Sequence, residues 1–268
     1  MDSGWTSRGR RKCCYFVAPI AAALSFLVPL RAQTASTADV TIATDRPSVT
    51  NSSVVVPQGG FQAENGLAFT NTGGNYTLDL PETSLRYGLL HKTELRFAVP
   101  NYFQDLSSGS GASGFGDLSL GLKQQIGPEH KFDLSLIIFV SFPTGAAAIS
   151  SHGYDPALQL PWSRKLSANW TAGGQVAFYW PTQSGKRNFT GETTFFVDRQ
   201  LTKSWDAFVE YAGDFPERGG SRQYLHFGTA YKLTPRQQLD FHVAAGLSDA
   251  ASRAYFGFGY SVLLLRRR

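Results

Sequence analysis

Apolar and polar residues alternate along most of the chain that follows residue 60. Every second position is apolar in segments of about ten residues, the length that a tilted strand needs to cross a bilayer. In the first segment, Phe61 and Leu67 lie on one face, and Gln62 and Glu64 lie on the other. The 3.6-residue period of an amphipathic helix is absent, so the pattern predicts strands.

About twelve such segments follow one another, and the links between them alternate in length. Short links lie at residues 89–92, 126–130, 166–168, 201–204 and 233–236, and longer ones lie at 103–113, 143–154, 181–187, 214–221 and 248–252. Outer-membrane barrels alternate short periplasmic turns with longer external loops, and their strand number is even. The sequence therefore predicts an all-β fold, a single antiparallel transmembrane β-barrel of about 12 strands over residues 60–268.

The tryptophans favour this barrel over a secreted sandwich or a lipocalin-like barrel, in which the apolar face would form a core. Trp162, Trp170 and Trp205 map to the periplasmic ends of their strands, and Trp180 maps to the opposite end. Tryptophan is enriched at both interfaces of a membrane, so we predict that these four form an interfacial aromatic girdle. The apolar face then contacts lipid, and the polar face lines the lumen.

The first 38 residues have the composition of an export signal. The positive residues 8–12 precede the apolar residues 13–30, and small residues between 32 and 38 offer cleavage points. Pro19 and Pro29 interrupt the apolar stretch, which argues against a membrane anchor. We predict a signal peptide over residues 1–38, cleaved between 32 and 38, and a location in the bacterial outer membrane.

Residues 39–59 precede the first strand and differ from all the strands. Asp45, Arg46, Pro47 and Pro57 make this stretch too polar and too interrupted by proline for a membrane strand. We expect a polar N-terminal segment that folds into the barrel as a partial plug. A twelve-stranded barrel lies between the small barrels that side chains fill and the wide porins, which allows a narrow pore.

The formal charge of +5 does not indicate a nucleic-acid partner. Residues 1–38 hold five of the 25 Lys and Arg residues and one of the 20 Asp and Glu residues, and three more arginines stand at 266–268. The rest of the chain has no basic stripe, so we expect no binding to nucleic acid.

Residue types that carry metal chemistry are sparse. Both cysteines, Cys13 and Cys14, lie in the predicted signal peptide, and the five histidines lack the H-x-x-x-H spacing. We expect no metal and no cofactor. His226 and His242 fall on the lumen face, where we expect each to make a satisfied polar contact.

Two patterns with enzymatic associations are weak here. The run Gly109–Gly114 spells G-x-G-x-x-G, but a strand-like segment follows it where a dinucleotide site needs a helix, so we assign it to an external loop. The G-x-S-x-G elbow of many serine hydrolases is missing. We therefore predict no catalytic residue and no enzyme. An outer-membrane lipid hydrolase would need a Ser–His contact on the lipid-facing wall.

Ionised side chains stand out on the predicted lumen face of three consecutive strands. They are Glu64, Glu82, Arg86, Glu94 and Arg96. We expect them to face one another across the lumen, where opposite charges stabilise neighbouring strands. They are our candidates for a network that holds the wall and for a charged constriction that selects solutes. Replacing Arg86 and Arg96 by neutral residues would then shift ion selectivity toward cations.

Several short motifs occur in a definite order along the chain. They are residues 43–50 (ATDRPSVT), residues 56–64 (VPQGGFQAE), Leu85–Leu89, Glu94–Arg96, Gly114–Leu118 and Ser141–Gly145. Together they resemble the outer-membrane family labelled "MetA-pathway of phenol degradation". The resemblance implies an outer-membrane barrel that acts as a transporter or channel and is sometimes associated with the breakdown of aromatic compounds.

The sequence thus predicts an outer-membrane channel that passes small solutes, with aromatic or other hydrophobic compounds among the candidates, through a charge-lined lumen. Its expected partners are outer-membrane lipids, an unidentified small solute and the barrel-assembly machinery. One alternative is a closed structural barrel that conducts nothing. A second alternative is an outer-membrane lipid hydrolase.

Overall fold

The computed structural model of the chain describes residues 40–107 and 111–265. The predicted signal peptide, the first glycine of the Gly109–Gly114 run and the residues Arg266–Arg268 lie outside the described residues. No helix among the described residues has the length and apolar character that crossing a membrane requires.

The described residues form seventeen β-strands. In chain order they are β1 (Gly60–Thr72), β2 (Asn75–Leu80), β3 (Ser84–Leu90), β4 (Thr93–Ala98), β5 (Tyr102–Asp105), β6 (Gly114–Phe115), β7 (Leu118–Gln125), β8 (Phe132–Phe142), β9 (Asp155–Lys165), β10 (Trp170–Tyr179), β11 (Thr182–Gln183), β12 (Lys186–Arg187), β13 (Thr190–Gln200), β14 (Trp205–Pro216), β15 (Arg222–Thr234), β16 (Gln237–Gly246) and β17 (Ala254–Leu265).

Twelve antiparallel strands close into one barrel, as the sequence predicts. In its wall, β2 with β3, β4 with β5 and β6 with β7 each make one interrupted strand, and the hairpin β11–β12 stands apart. The barrel closes where β1 pairs with β17, from Gly60 against Leu265 to Asn71 against Ala254. Closure satisfies the backbone groups of both end strands, which lipid could not do.

The distribution of side chains is the reverse of that in a soluble protein. The outward residues Ile138, Phe195 and Phe258 are 50%, 49% and 52% exposed, whereas the inward residues Arg86 and Lys123 are fully buried. The apolar face therefore meets lipid, and polar side chains fill the interior.

The links follow the predicted alternation. On the periplasmic side, β3 and β4 are joined by two residues, His91 and Lys92, and β15 and β16 are likewise joined by two. On the external side, twelve residues separate β8 from β9, and the first external turn, Gly73–Gly74, is short.

Residues 40–59, which we call the N-terminal segment, lie inside the barrel. The Ile42 amide donates to the carbonyl of Pro235 at the periplasmic end (2.8 Å). Ile42 and Val56 form a small buried cluster with Leu263 of β17. At Gly88 of β3 any Cβ would collide with the backbone oxygens of the segment, so only glycine allows this approach.

We predict that outward positions of the wall tolerate charge according to their depth. Ile138→Arg, near the middle of β8, should cost about 2–4 kcal/mol of unfolding free energy, because lipid cannot solvate the guanidinium. Leu233→Arg, beside a periplasmic turn, should cost about 0–1 kcal/mol. Urea unfolding in phospholipid vesicles, followed by tryptophan fluorescence, measures both, and equal costs would contradict a lipid-facing wall.

Candidate functional site in the lumen

The predicted lumen residues lie side by side on one part of the wall, not on opposite sides of the lumen. Glu64 belongs to β1, Arg86 to β3, and Glu94 and Arg96 to β4. The guanidinium of Arg86 donates to Glu64 Oε1 (2.7 Å) and to Glu94 Oε1 (2.8 Å). The residues Glu64, Arg86, Glu94, Arg96 and the neighbouring Lys123 of β7 are called the ionic cluster below.

Asp45 of the N-terminal segment docks on the ionic cluster. Its carboxylate forms ion pairs with Arg96, with Arg86 (3.5 Å) and with Lys123 (4.0 Å). Burial by itself would raise the pKa of Asp45, but the attraction of these three cations prevails and holds it well below its usual value. The Asp45 carboxylate is therefore ionised at neutral pH.

The carboxylates of the ionic cluster also bind the backbone of the segment. Glu64 accepts hydrogen bonds from the amides of Asp45 and Arg46, each at 3.0 Å, and Glu94 accepts one from the amide of Val56 (2.7 Å). Lys123 donates to the carbonyl of Val54 (2.7 Å). These buried polar groups thus satisfy each other only when the segment is in place.

Glu82, the remaining lumen candidate, lies just before β3 and pairs with a different residue. It contacts Arg46, whose guanidinium also reaches Asp240 of β16 (3.3 Å) and the carbonyl of Phe258 (3.1 Å). Burial alone would lower the pKa of Arg46, but Asp240 and Glu82 raise it above its ordinary value. Arg46 therefore ties the segment to both sides of the barrel closure.

Another carboxylate, that of Glu210, anchors the segment from the far wall. Glu210 of β14 accepts hydrogen bonds from the amides of Val49 (2.8 Å) and Thr50 (2.9 Å) and from the Thr50 hydroxyl (2.6 Å). It also contacts Nδ1 of His226 (2.8 Å), and Nε2 of His226 contacts Nδ1 of His242 (2.9 Å). The polar contact expected for each lumen histidine is thus present, while His242 Nε2 has no partner among the described residues.

Charged side chains line two opposite parts of the lumen wall. In the ring of twelve strands, β13 and β14 stand opposite β3, β4 and β7. The inward residues of β13 and β14 include five carboxylates, which we call the acidic wall: Glu192, Asp198, Asp206, Glu210 and Asp214. The N-terminal segment spans the lumen, with its Asp45 carboxylate on the cations and its amides on Glu210.

Two cavities lie on either side of the segment. The periplasmic cavity has a volume of about 330 Å³, and residues 42–54 form much of its lining together with β13 to β16. The external cavity, of about 270 Å³, is lined by Phe139, Gln159, Tyr179 and their neighbours. Between them, the Asn51 amide group donates to Gln159 (3.2 Å) and Gln175 (2.9 Å).

The predicted girdle tryptophans occupy outward positions near strand ends. Trp170 and Trp205 begin β10 and β14, and they are 41% and 46% exposed. Trp162 lies near the periplasmic end of β9 and stacks on Phe132. Trp180 follows the external end of β10 and packs on Phe189. The placement matches two interfacial levels, and their contact with lipid interfaces stays a prediction.

The described residues bring together neither a hydrolase pair nor a metal centre. Within this part of the chain, no histidine ring is hydrogen-bonded to a serine hydroxyl, and the ring of His152 instead meets the carbonyl of Ala147 (3.0 Å). No group of three or more metal-ligating side chains converges there.

Sequence reasoning missed four residues that organise the lumen: Asp45, Arg46, Lys123 and Glu210. Lys123 and Glu210 occupy polar positions of alternating strands, so the pattern predicts that their side chains face the lumen. Their partners are distant in sequence and do not follow from the pattern. Asp45 and Arg46 stand in a polar stretch that carries no period, so nothing in the pattern pairs them with the wall.

The comparisons with known proteins agree with the barrel fold. The family model described as "Putative MetA-pathway of phenol degradation" matches residues 44–264. No curated protein matches the sequence. Three solved outer-membrane barrels with a similar fold are described next.

The outer membrane channel COG4313 from Pseudomonas putida F1 is 14% identical, with a TM-score of 0.60 over 79% of this chain and 97% of that one. The NanC porin is 10% identical, with a TM-score of 0.54 over 75% and 98%. The KdgM porin, solved in complex with disordered oligogalacturonate, is 7% identical, with a TM-score of 0.52 over 78% and 99%. These similarities establish the fold of an outer-membrane barrel.

We predict that Asp45→Asn destabilises the folded protein by about 3–5 kcal/mol, because it leaves buried cations without their partner. Asp214→Asn is the matched control. Asp214 pairs with Arg222, and the two side chains are 29% and 42% exposed, so this ion pair should contribute about 0–1 kcal/mol to the unfolding free energy. Urea midpoints in vesicles compare the two.

The same interaction sets a pH dependence. Because the folded-state pKa of Asp45 is depressed, its contribution is complete at neutral pH and is lost only as the pH falls below about 4, the unfolded value. The difference in unfolding free energy between the wild type and Asp45→Asn should therefore be present at pH 5 and above and shrink in acid, below about pH 4. A difference that disappears near pH 6 would contradict this assignment.

Proposed function

Since the chain belongs to the family described as "Putative MetA-pathway of phenol degradation", we propose that it is a channel that passes small solutes across the outer membrane by diffusion. The N-terminal segment narrows its lumen. The observation that carries the proposal is the pair of cavities of about 330 and 270 Å³ within one polar lumen, separated by this segment.

Selection of solutes would combine charge with apolar surface. The ionic cluster and the acidic wall place charged groups on opposite sides of the path, where they would orient a dipolar or charged solute as it passes. The rings of Phe139 and Tyr179 line the external cavity, and those of Phe196 and Phe208 line the periplasmic cavity. These surfaces suit the aromatic or other hydrophobic compounds that the family resemblance implies.

The closed structural barrel is the second candidate, and the density of contacts on the N-terminal segment favours it. Arg86 is fully buried beneath the segment, and its guanidinium forms ion pairs with Asp45, Glu64 and Glu94. Replacing Arg86 and Arg96 would therefore loosen the segment as well as change the charge of the path. A test of conduction must act on the segment itself.

We predict that removing residues 40–59 raises the single-channel conductance of the refolded protein in a planar lipid bilayer. The segment occupies the lumen between the two cavities, so its removal joins them into one wider path. A variant that keeps the length of the segment as glycine and serine should conduct as the deletion does. Wild-type protein should show smaller steps, and silence from all three folded proteins would overturn the channel proposal.

An engineered disulfide between the segment and the wall tests whether the segment moves during conduction. The hydroxyls of Ser53 and Ser163 are 2.7 Å apart, close enough for Ser53→Cys and Ser163→Cys to form a disulfide. After cleavage of the predicted signal peptide, no other cysteine is present. We expect oxidation to lower the conductance of the double variant and a reductant to restore it, with Ser163→Cys alone unaffected. Equal currents in both redox states would show that solutes pass a fixed segment.

A further inference from the structure

The periplasmic cavity contains a carboxylate, that of Asp198, which has no hydrogen bond or ion pair with another described residue. Asp198 of β13 lines the cavity, and among the described residues it accepts no hydrogen bond and forms no ion pair within 4.0 Å. The other charged groups of the lining are already engaged. Lys232 pairs with Asp206 (3.1 Å), and Arg46 pairs with Glu82 and Asp240. Among the described residues that line the cavity, Asp198 is therefore the carboxylate left without a hydrogen bond or an ion pair.

Two aromatic rings stand in the same cavity, and glycines on the neighbouring strands make room for them. The ring edge of Phe196 lies over Gly173 of β10, and that of Phe208 lies over Gly228 of β15. A Cβ at either glycine would collide with the ring. The wall is thus shaped to keep both rings back, which leaves open space of about 330 Å³ in front of them.

We propose that the periplasmic cavity is a binding site for small organic cations, substituted ammonium compounds with Asp198 as their counter-charge and Phe196 and Phe208 against their alkyl groups. Aromatic faces attract ammonium groups, and more strongly when water is excluded. The inference rests on the proposed channel function, because the bound cation is then a solute that the channel passes.

At this cavity the charges of the lining favour a cation over the other classes of solute. An anion would stand beside Asp198 and Asp206, which repel it at short distance in a partly dehydrated space. A neutral solute of the same shape would displace water from Asp198 without replacing the lost interactions of that carboxylate. A cation alone gains from both the carboxylate and the rings.

The test uses choline and 3,3-dimethylbutan-1-ol, which has the same shape without the charge. Isothermal titration of the refolded mature protein in detergent should detect choline binding, and Asp198→Asn should weaken it at least tenfold. Asp133→Asn is the matched control, an inward carboxylate of β8 that lies outside this cavity, and it should bind choline as the wild type does. The neutral isostere should bind weakly and equally to all three proteins.

A second pair of variants tests the rings without changing the charge. Gly228→Ala should push the ring of Phe208 into the cavity and lower choline affinity, whereas Gly191→Ala, where a Cβ meets open space, should leave it unchanged. Choline binding that is indifferent to Asp198→Asn and Gly228→Ala, or equal binding of the isostere, would overturn the inference.

Conductance of the same preparation separates this inference from the proposed function. Current steps without choline binding would overturn the cation site and leave the channel standing. Choline binding without current in any variant would support the site as a ligand pocket and overturn the channel.

Discussion

The attachment of Asp45 to Arg86, Arg96 and Lys123 is the interaction on which the rest of the lumen depends. Three buried cations face only two wall carboxylates, Glu64 and Glu94, so the wall is incomplete by itself. The segment supplies the third carboxylate, and its backbone amides then satisfy Glu64 and Glu94. Because isolated buried charges are costly, the wall and the segment stabilise each other, and neither arrangement is complete alone.

The strand pattern could be predicted because the facing of each residue in a barrel wall depends only on its position along its own strand. Each residue either faces lipid or does not, so a period of two and the lengths of the links determine strand number and facing without any knowledge of partners. The faces of Glu64, Arg86, Glu94 and Arg96 follow from this rule alone.

The partners of these side chains did not follow, since they depend on contacts between distant parts of the chain. Arg86 meets Glu94 eight residues away, but Asp45 and Arg46 reach residues as far as Asp240, and the sequence carries no periodic signal for such pairs. Glu82 illustrates the difference: alternation places it on the lumen face, yet its partner Arg46 stands in the aperiodic segment.

The contacts of the N-terminal segment also constrain the order in which the protein assembles. The segment comes first in the chain, yet Thr50 binds Glu210 and Arg46 binds Asp240, residues that are contributed by β14 and β16. These anchors exist only after the last strands have joined the wall. The first residues of the chain therefore complete their contacts late in assembly, after β14 and β16 have joined the wall.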